Sequence, residues 1–246
     1  MSTINIVSNE LLSSSISNFS SSLFHELSNQ NPGNDMLFSP LSVYMTLSMA
    51  MLAVSKETLY NIRGNTTFYE SFSMSDNAWH HTLMNLYMTV LNSDLQSIKS
   101  GFANGLFVDT QFKIAKQFKK EATEIYKAKI ENVDFKSKPE LARENINSWI
   151  VNKTNGQIKN FLSPNSITTL TEAVLTNAIY FKGEWKYKFD GKIKMSTFKN
   201  LDGRNPKVEM MTMAPKYFDY MYMPMNLPCE LLKIPFNDEK YKMILI

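Results

Sequence analysis

The chain of 246 residues predicts an α+β fold, and three observations carry that prediction. The first is the run Ala173–Trp185, which is apolar, rich in β-branched and aromatic residues, and closed by Lys182-Gly183. It reads as a long strand. Its odd positions (Ala173, Leu175, Asn177, Ile179, Phe181, Trp185) and its even positions (Val174, Thr176, Ala178, Tyr180) are both largely apolar. Both faces are therefore expected to be covered, as in the middle of a sheet. The second is a helix after Ser39-Pro40 with Val43, Met45, Leu47, Met49, Met51 and Leu52 pointing in all directions. A helix apolar all round is a buried helix, and enclosing one favours a single large domain, residues 1–246, over two small ones. The third is a series of short strands after residue 196, separated by turn residues.

Bulk composition narrows the function classes. Hydrophobic residues make 43% and charged residues 20%, as in soluble globular proteins. A net charge of +3 gives no argument for nucleic acid as a partner. One cysteine, Cys229, leaves no intrachain disulfide, so the core must hold the fold. Sixteen methionines read as flexible core filling rather than a Met-rich binding groove. No run of about 18 apolar residues exists, so no membrane span is expected. Met1–Ser22 is polar and Ser-rich, without the basic start and apolar run of a secretory signal. The sequons at Asn18, Asn65 and Asn152 barely move the localisation in a chain so rich in Asn, Ser and Thr.

Taken in order, Ile16, Phe19, Leu23, Phe24 and Leu27 recur at helical spacing and make a first amphipathic helix. Pro32-Gly33 marks a turn, and Met36-Leu37-Phe38 reads as a short strand. Ser39 is an N-cap with Pro40 at the first helical position. Thr58–Gly64 reads as a short helix and residues 64–77 as a loop. Trp79, Leu83, Leu86, Tyr87 and Val90 form the face of a helix over Ala78–Asn92. His80 and His81 cannot share a helix face and have no ligand-spaced partner, so no metal site is expected. Phe102–Val108 reads as a strand. Ile114, Phe118, Ala122 and Tyr126, with Ile125 beside them, make one helix face. Lys113, Lys116, Lys119, Lys120 and Lys127 lie on the other side, read as solvated with an anionic partner as the minority reading. Glu131–Phe135 reads as a strand, and Ser137-Lys138-Pro139-Glu140 as a capping box. The next helix carries Ala142, Ile146, Trp149, Ile150 and Lys153 on one face and stops near Thr154-Asn155-Gly156. Beyond the long strand, Thr197-Phe198, Val208–Met211, Tyr217–Tyr222, Glu230–Phe236 and Tyr241–Ile246 read as strands. Asp202-Gly203, Met223-Pro224 and Asn237-Asp238 form the turns between them.

Asn177 is the polar exception in the long strand. A buried primary amide without partners costs roughly 1–3 kcal/mol, so it is bonded either to a neighbouring loop or within a polar cluster at a sheet centre.

Asn177-Ala178-Ile179-Tyr180-Phe181-Lys182-Gly183-Glu184-Trp185 followed by Phe189 resembles the serpin pattern N-A-I-Y-F-K-G-x-W-x-x-x-F. Asp35–Val43 with Leu47, Met49, Leu52 and Glu57-Thr58 resembles N-x-x-x-S-P-x-S-I … L-x-M … G-x-T. Asp35 departs from it, as do Ala53 and Lys56 where glycines are usual. Further matches are Ala103-Asn104 with Leu106-Phe107, Val133-Asp134-Phe135, and Ile146-Asn147-Ser148-Trp149-Ile150 continuing to Ile158. In order, they cover residues 13–246. The resemblance implies a serpin-like fold, with helices around a large mixed sheet and smaller sheets. It implies a shutter cluster of Ser39, Ser42 and Asn177 under the large sheet, and Trp185 at the breach where a reactive loop enters. It also implies that the helix bearing Trp149 lies across the sheet and moves aside when the sheet expands.

Met243-Ile244-Leu245-Ile246 is an apolar strand without a closing turn, which leads one to expect a longer parent protein. Against the serpin pattern, two strands of the large sheet, the reactive loop and the cluster's histidine are expected beyond Ile246. The resemblance implies an inhibitor of a serine or cysteine protease, or a fragment of one. A non-inhibitory or truncated serpin-fold binding protein is the alternative. No G-x-S-x-G elbow, phosphate loop, H-E-x-x-H or paired Cys motif points to an enzyme. The bases available to Cys229 (His25, His80 and His81) are remote in sequence, so a free thiol is the reading preferred. No cofactor and no metal are expected. The resemblance also points away from a glycosaminoglycan site, because Ala78–Asn92 has no Lys or Arg. It suggests the extracellular space, while the absent signal sequence suggests the cytoplasm.

Overall fold

Local sequence sets the first element of the computed structural model, which describes residues 9–54, 58, 76–91, 98–200, 203–224 and 228–246. Helix α1 spans Asn9–Gln30. It begins earlier than the apolar spacing suggests because Leu12 and Ser15 continue its buried stripe, while Phe24 turns to solvent. Helix α2 spans Pro40–Met51, with Ser39 as N-cap accepting from the Ser42 amide at 3.3 Å and Pro40 in the first turn. Ser42, Tyr44, Met45, Ser48 and Met49 are buried, but Val43 and Leu47 are 37% and 36% exposed. The helix is therefore two-sided rather than fully enclosed. Met36–Phe38 forms no strand, and Leu37 is fully exposed, because an extended segment without a paired neighbour makes no ladder. The helix expected over Thr58–Gly64, the loop over 64–77, the Asn65 sequon and Lys56 lie outside the described residues. Thr58 is an exception, as are Asp76 and Asn77, which open the next helix.

The helices that follow are α3 (Asp76–Leu91), α4 (Lys116–Tyr126) and α5 (Pro139–Lys153). Trp79, Leu83 and Tyr87 are fully buried on α3, and the Val90 side chain lies outside the described residues. On α4, Phe118, Ala122, Ile125 and Tyr126 are buried while Lys116, Lys119 and Lys120 face solvent. The capping box expected before α5 does not form. Lys138 is the N-cap without a side-chain bond, because Ser137 donates its amide to Asp134 and Glu140 is held by Arg143. The stop of α5 is built as the sequence suggests. Asn155 (φ 50°) and Gly156 (φ 76°) are left-handed, Gly156 N donates to Val151 O at 2.8 Å and Asn155 N to Asn152 O at 3.2 Å. That is a Schellman closure.

Three strands make one sheet: β1 (Ile98–Asp109), β2 (Lys129–Val133) and β3 (Ala173–Gly183), in the order β2-β1-β3. β1 and β2 are parallel, with Gly105 opposite Lys129 and Asp109 opposite Val133. Contacts Asp109–Glu172, Gly105–Thr176 and Asn104–Asn177 step down β1 as they step up β3, so these two run antiparallel. The sheet is mixed. β2 starts two residues before the sequence suggests and ends at Val133, because the Phe135 amide bonds the Asp109 carboxylate at 3.0 Å instead of the ladder. β3 spans Ala173–Gly183 and closes at the Lys182-Gly183 pair, as the sequence suggests. It is also an edge strand among the described residues, not a central one, since β1 alone pairs with it. Its even residues Thr176 and Ala178 are buried, whereas Leu175 and Phe181 on the other side are 37% and 39% exposed. Apolar composition expresses a need for cover on both faces; it carries no information on whether a neighbour is present.

The described residues fall into two units: 1–92 with 100–180, and 93–99 with 181–246. In the first, α5 covers one face of the sheet through Ala142, Ile146 and Ile150 against Ala103, Phe107 and Ala178. The opposite face meets α1–α4 through Tyr44, Met49, Tyr87, Ile125 and Ile130. In the second unit, β4 (Lys194–Thr197) pairs antiparallel with β5 (Lys207–Met210). β6 (Asp219–Met223), β7 (Cys229–Pro235) and β8 (Lys242–Leu245) form an antiparallel sheet with β7 central. Ile193, Met195, Phe198, Met211, Tyr220, Met221, Met243 and Ile244 of this unit are exposed.

Candidate functional site: a polar chain joining α2, β3, β1 and α4

Asn177 lies on the odd side of β3, which faces α2, and the start of α2 reaches it. Ser39 caps the helix, which fixes the first turn and aims Ser42 inward. The Ser42 hydroxyl donates to Asn177 Oδ1, and Asn177 Nδ2 donates to Asn104 Oδ1 on β1. Asn104 Nδ2 in turn donates to the Tyr126 carbonyl at the end of α4, at 2.9 Å. The run of donors therefore links the N-terminus of α2, two strands and the C-terminus of α4. Both amides are satisfied, which a buried amide requires. Of the two readings left open for Asn177, the polar cluster is the one that forms, although Asn177 itself is half-buried and its strand lies at the sheet edge among the described residues rather than at the centre.

Further polar groups gather around this chain. Tyr87 of α3 is fully buried beside Asn177; burial pushes its hydroxyl above the usual phenol range, and Asn177 pulls it partly back. The Tyr87 hydroxyl nonetheless stops short of hydrogen-bond geometry. Burial likewise drives the Tyr126 hydroxyl well up, with Tyr44 adding to the shift and Ser48 opposing it. Tyr126 shares a hydrogen bond with His80 Nδ1, and Ser15 with Tyr44 at 3.0 Å. His80 is thus a buried structural histidine, while His81 next to it is exposed. Asp109 closes the β1–β2 end: its carboxylate accepts from Gln111 N at 3.1 Å and Phe135 N at 3.0 Å, which holds its pKa below the ordinary value.

Trp185 belongs to the second unit, whereas Ser39, Ser42 and Asn177 belong to the first. The indole stacks on Phe236 (centroids 4.5 Å, planes 10° apart) and meets Phe189 edge-on at 5.9 Å. Phe181 approaches Phe236 and Tyr241, both at 5.4 Å. Gly183 makes this packing possible: a Cβ there would lie 2.6 Å from the Phe236 ring. Sequence reasoning does not single out Asn104, Tyr87, Tyr126 or His80 as site residues. Asn104 carries the same signal as Asn177, an amide between small or apolar residues in a strand. The tyrosines and His80 give none, because an aromatic on a helix face reads as core.

Among the described residues no group of three or more His, Cys, Asp or Glu could hold a metal, and no helix is long and apolar enough to cross a membrane. Cys229 is a free, half-buried thiol. His25 is engaged with Asn29 at 3.1 Å.

A family model described as Serpin (serine protease inhibitor) matches residues 14–246. The chain belongs to the serpin family. Leukocyte elastase inhibitor of Xenopus tropicalis is 30% identical over 240 residues, covering 96% of this chain and 61% of that protein. Antithrombin-III of Mus musculus is 30% identical over 237 residues, covering 96% and 50%. The chain thus spans between half and about three-fifths of the length of these serpins. Emu ovalbumin (Dromaius novaehollandiae) matches in fold with a TM-score of 0.77 at 24% identity, over 95% of this chain and 62% of that one. Serpin48 of the insect Tenebrio molitor matches with a TM-score of 0.77 at 26% identity, over 94% and 61%. The α+β, serpin-type architecture expected from sequence is the one found.

Proposed function

We propose that this serpin chain is the front part of an inhibitor of serine or cysteine endopeptidases that acts by inserting a cleaved reactive loop into its main sheet. The observation that carries the reading is the long strand β3, whose edge away from β1 is unpaired among the described residues and whose Asn177 joins Ser42 of α2 to Asn104 of β1. An unpaired edge of eleven residues is a template for an added strand, and main-chain bonding there is the drive that insertion needs. In this reading Ser39, Ser42 and Asn177 restrain the sheet, Trp185 on its Phe236 platform supports the entry end, and α5 shifts as the sheet widens. The names of the relatives, a leukocyte elastase inhibitor and an antithrombin, support a protease as the partner. The family match runs through both units, which supports reading 1–246 as part of one domain. Neither a cofactor nor an enzymatic role is part of this reading.

The test is the product of the reading frame continued past the Ile246 codon, mixed with elastase-type serine proteases and papain-type cysteine proteases. A covalent protease complex that survives denaturing electrophoresis is expected. Cleavage of the protein with full turnover and no complex overturns the reading. It would favour the second one, a non-inhibitory serpin-fold interaction protein, which the exposed apolar strands of the second unit support.

A further inference from the structure

A cavity of about 270 Å³ opens where the C-terminal end of α5 meets the start of β1. Its lining is Ser100–Asn104, Lys127, Trp149 and Lys153. The local geometry shows why the space exists. Trp149 lies so close over β1 that a Cβ on Gly105 would be 2.9 Å from its Cη2, and the Lys153 carbonyl would lie 3.2 Å from a Cβ on Gly101. Glycines let the helix end settle onto the strand, and the indole props one wall. Lys127 follows α4 in a left-handed conformation (φ 52°), costly for any residue but glycine, and its Nζ rests on the Glu124 carbonyl at 2.8 Å.

The electrostatics are one-sided. Two lysines line the cavity and no acidic side chain does. Neither Lys127 nor Lys153 makes an ion pair with a described residue. Two exposed ammonium groups without a carboxylate partner among the described residues, one of them on the Glu124 carbonyl, stand beside a half-buried indole and suit a small dianion with a flat apolar body. A phosphate monoester carries about −1.5 to −2 charges at neutral pH and matches the pair.

We propose that this cavity binds a small aryl phosphate monoester, its phosphate between Lys127 and Lys153 and its ring on Trp149. The occupied site joins the end of α4 to the end of α5 across β1. Asn104 in its floor and Tyr126 next to Lys127 both belong to the polar chain under β3. A bound ligand therefore holds α5 against the sheet; that this slows loop insertion rests on the function proposed above, but the binding does not.

Titration of the 246-residue protein with 1-naphthyl phosphate, followed by tryptophan fluorescence and calorimetry, tests the site. Quenching with saturable binding is expected, along with slower amide exchange in α5. Neutral 1-naphthol should bind at least tenfold more weakly, since a charge-assisted bond is lost. Lys127→Gly suits the left-handed backbone while deleting the charge, so its fold should survive. It and Lys153→Gln should each weaken binding roughly tenfold. Lys119→Gln, on the exposed side of α4, should not. Equal affinity for naphthol and naphthyl phosphate, or unchanged affinity in both lysine variants, overturns the proposal. The binding test involves no protease, so failure here leaves the inhibitor reading to its own experiment.

Discussion

Asn177 spends both ends of its amide on fixed partners, so its removal strands two others. Asn177→Ala leaves the Ser42 hydroxyl and the Asn104 carbonyl oxygen without their bonds. The expected loss is about 1–3 kcal/mol in urea unfolding. Ser42→Ala should cost less, and the double variant should lose less than the sum, because the two share one bond. Additive losses would show that the chain is not a coupled unit. At the other end of the sheet, Asp109 is held ionised by the Gln111 and Phe135 amides. Its stabilisation is fully present above the ordinary carboxylate pKa of about 3.9 and drains away as pH falls through the lower native value. Asp109→Asn should therefore weaken the protein at pH 7 and flatten the acid limb of its stability curve. An acid limb identical to that of the parent would assign the acid sensitivity to other carboxylates.

Among the elements, α5 has the clearest dependence on single positions. It covers the face of the sheet through Ala142, Ile146 and Ile150, and Trp149 reaches over Gly105. A Cβ on Gly105 would come within 2.8 Å of Thr176 Oγ1 and 2.9 Å of both Phe107 and Trp149. Gly105→Ala should push the helix off the strand, costing about 1–3 kcal/mol by overpacking and speeding amide exchange along α5. Exchange confined to its parent rate would mean that the sheet, not the helix, yields. The Schellman stop offers a contrast. A Cβ on Gly156 (φ 76°) would stand in open space, so Gly156→Ala meets only backbone strain, about 1 kcal/mol.

At the scale of the whole molecule, the second unit exposes many large apolar side chains. Strand β8 is exposed along its length, and among the described residues Met243, Ile244 and Leu245 lie on a sheet edge. Such an edge pairs with its like unless charge intervenes. The 246-residue protein should self-associate with rising concentration in sedimentation velocity, and Ile244→Lys should shift it towards monomer. A parent that stays monomeric at high concentration would mean that Lys233, Lys240 and Lys242 already suffice as guards.

What the sequence determined by itself was local or long-patterned. The helix periodicities, the Ser39-Pro40 start of α2, the Asn155-Gly156 stop and the strand order of the second half all depend on neighbours within a few residues. The ordered motif around Asn177–Trp185 was specific enough to point to the serpin family. Tertiary structure alone decided which groups became partners and which surfaces found cover. It joined Asn104 and Tyr126 to Ser42 and Asn177 across sequence separations of up to 135 residues. It withheld the capping box by giving Glu140 to Arg143. Among the described residues it also left β3 at an edge and the Val43–Leu47 side of α2 open. The physical reason is that hydrophobicity along a chain states what burial would be favourable, whereas burial itself requires a second surface in contact.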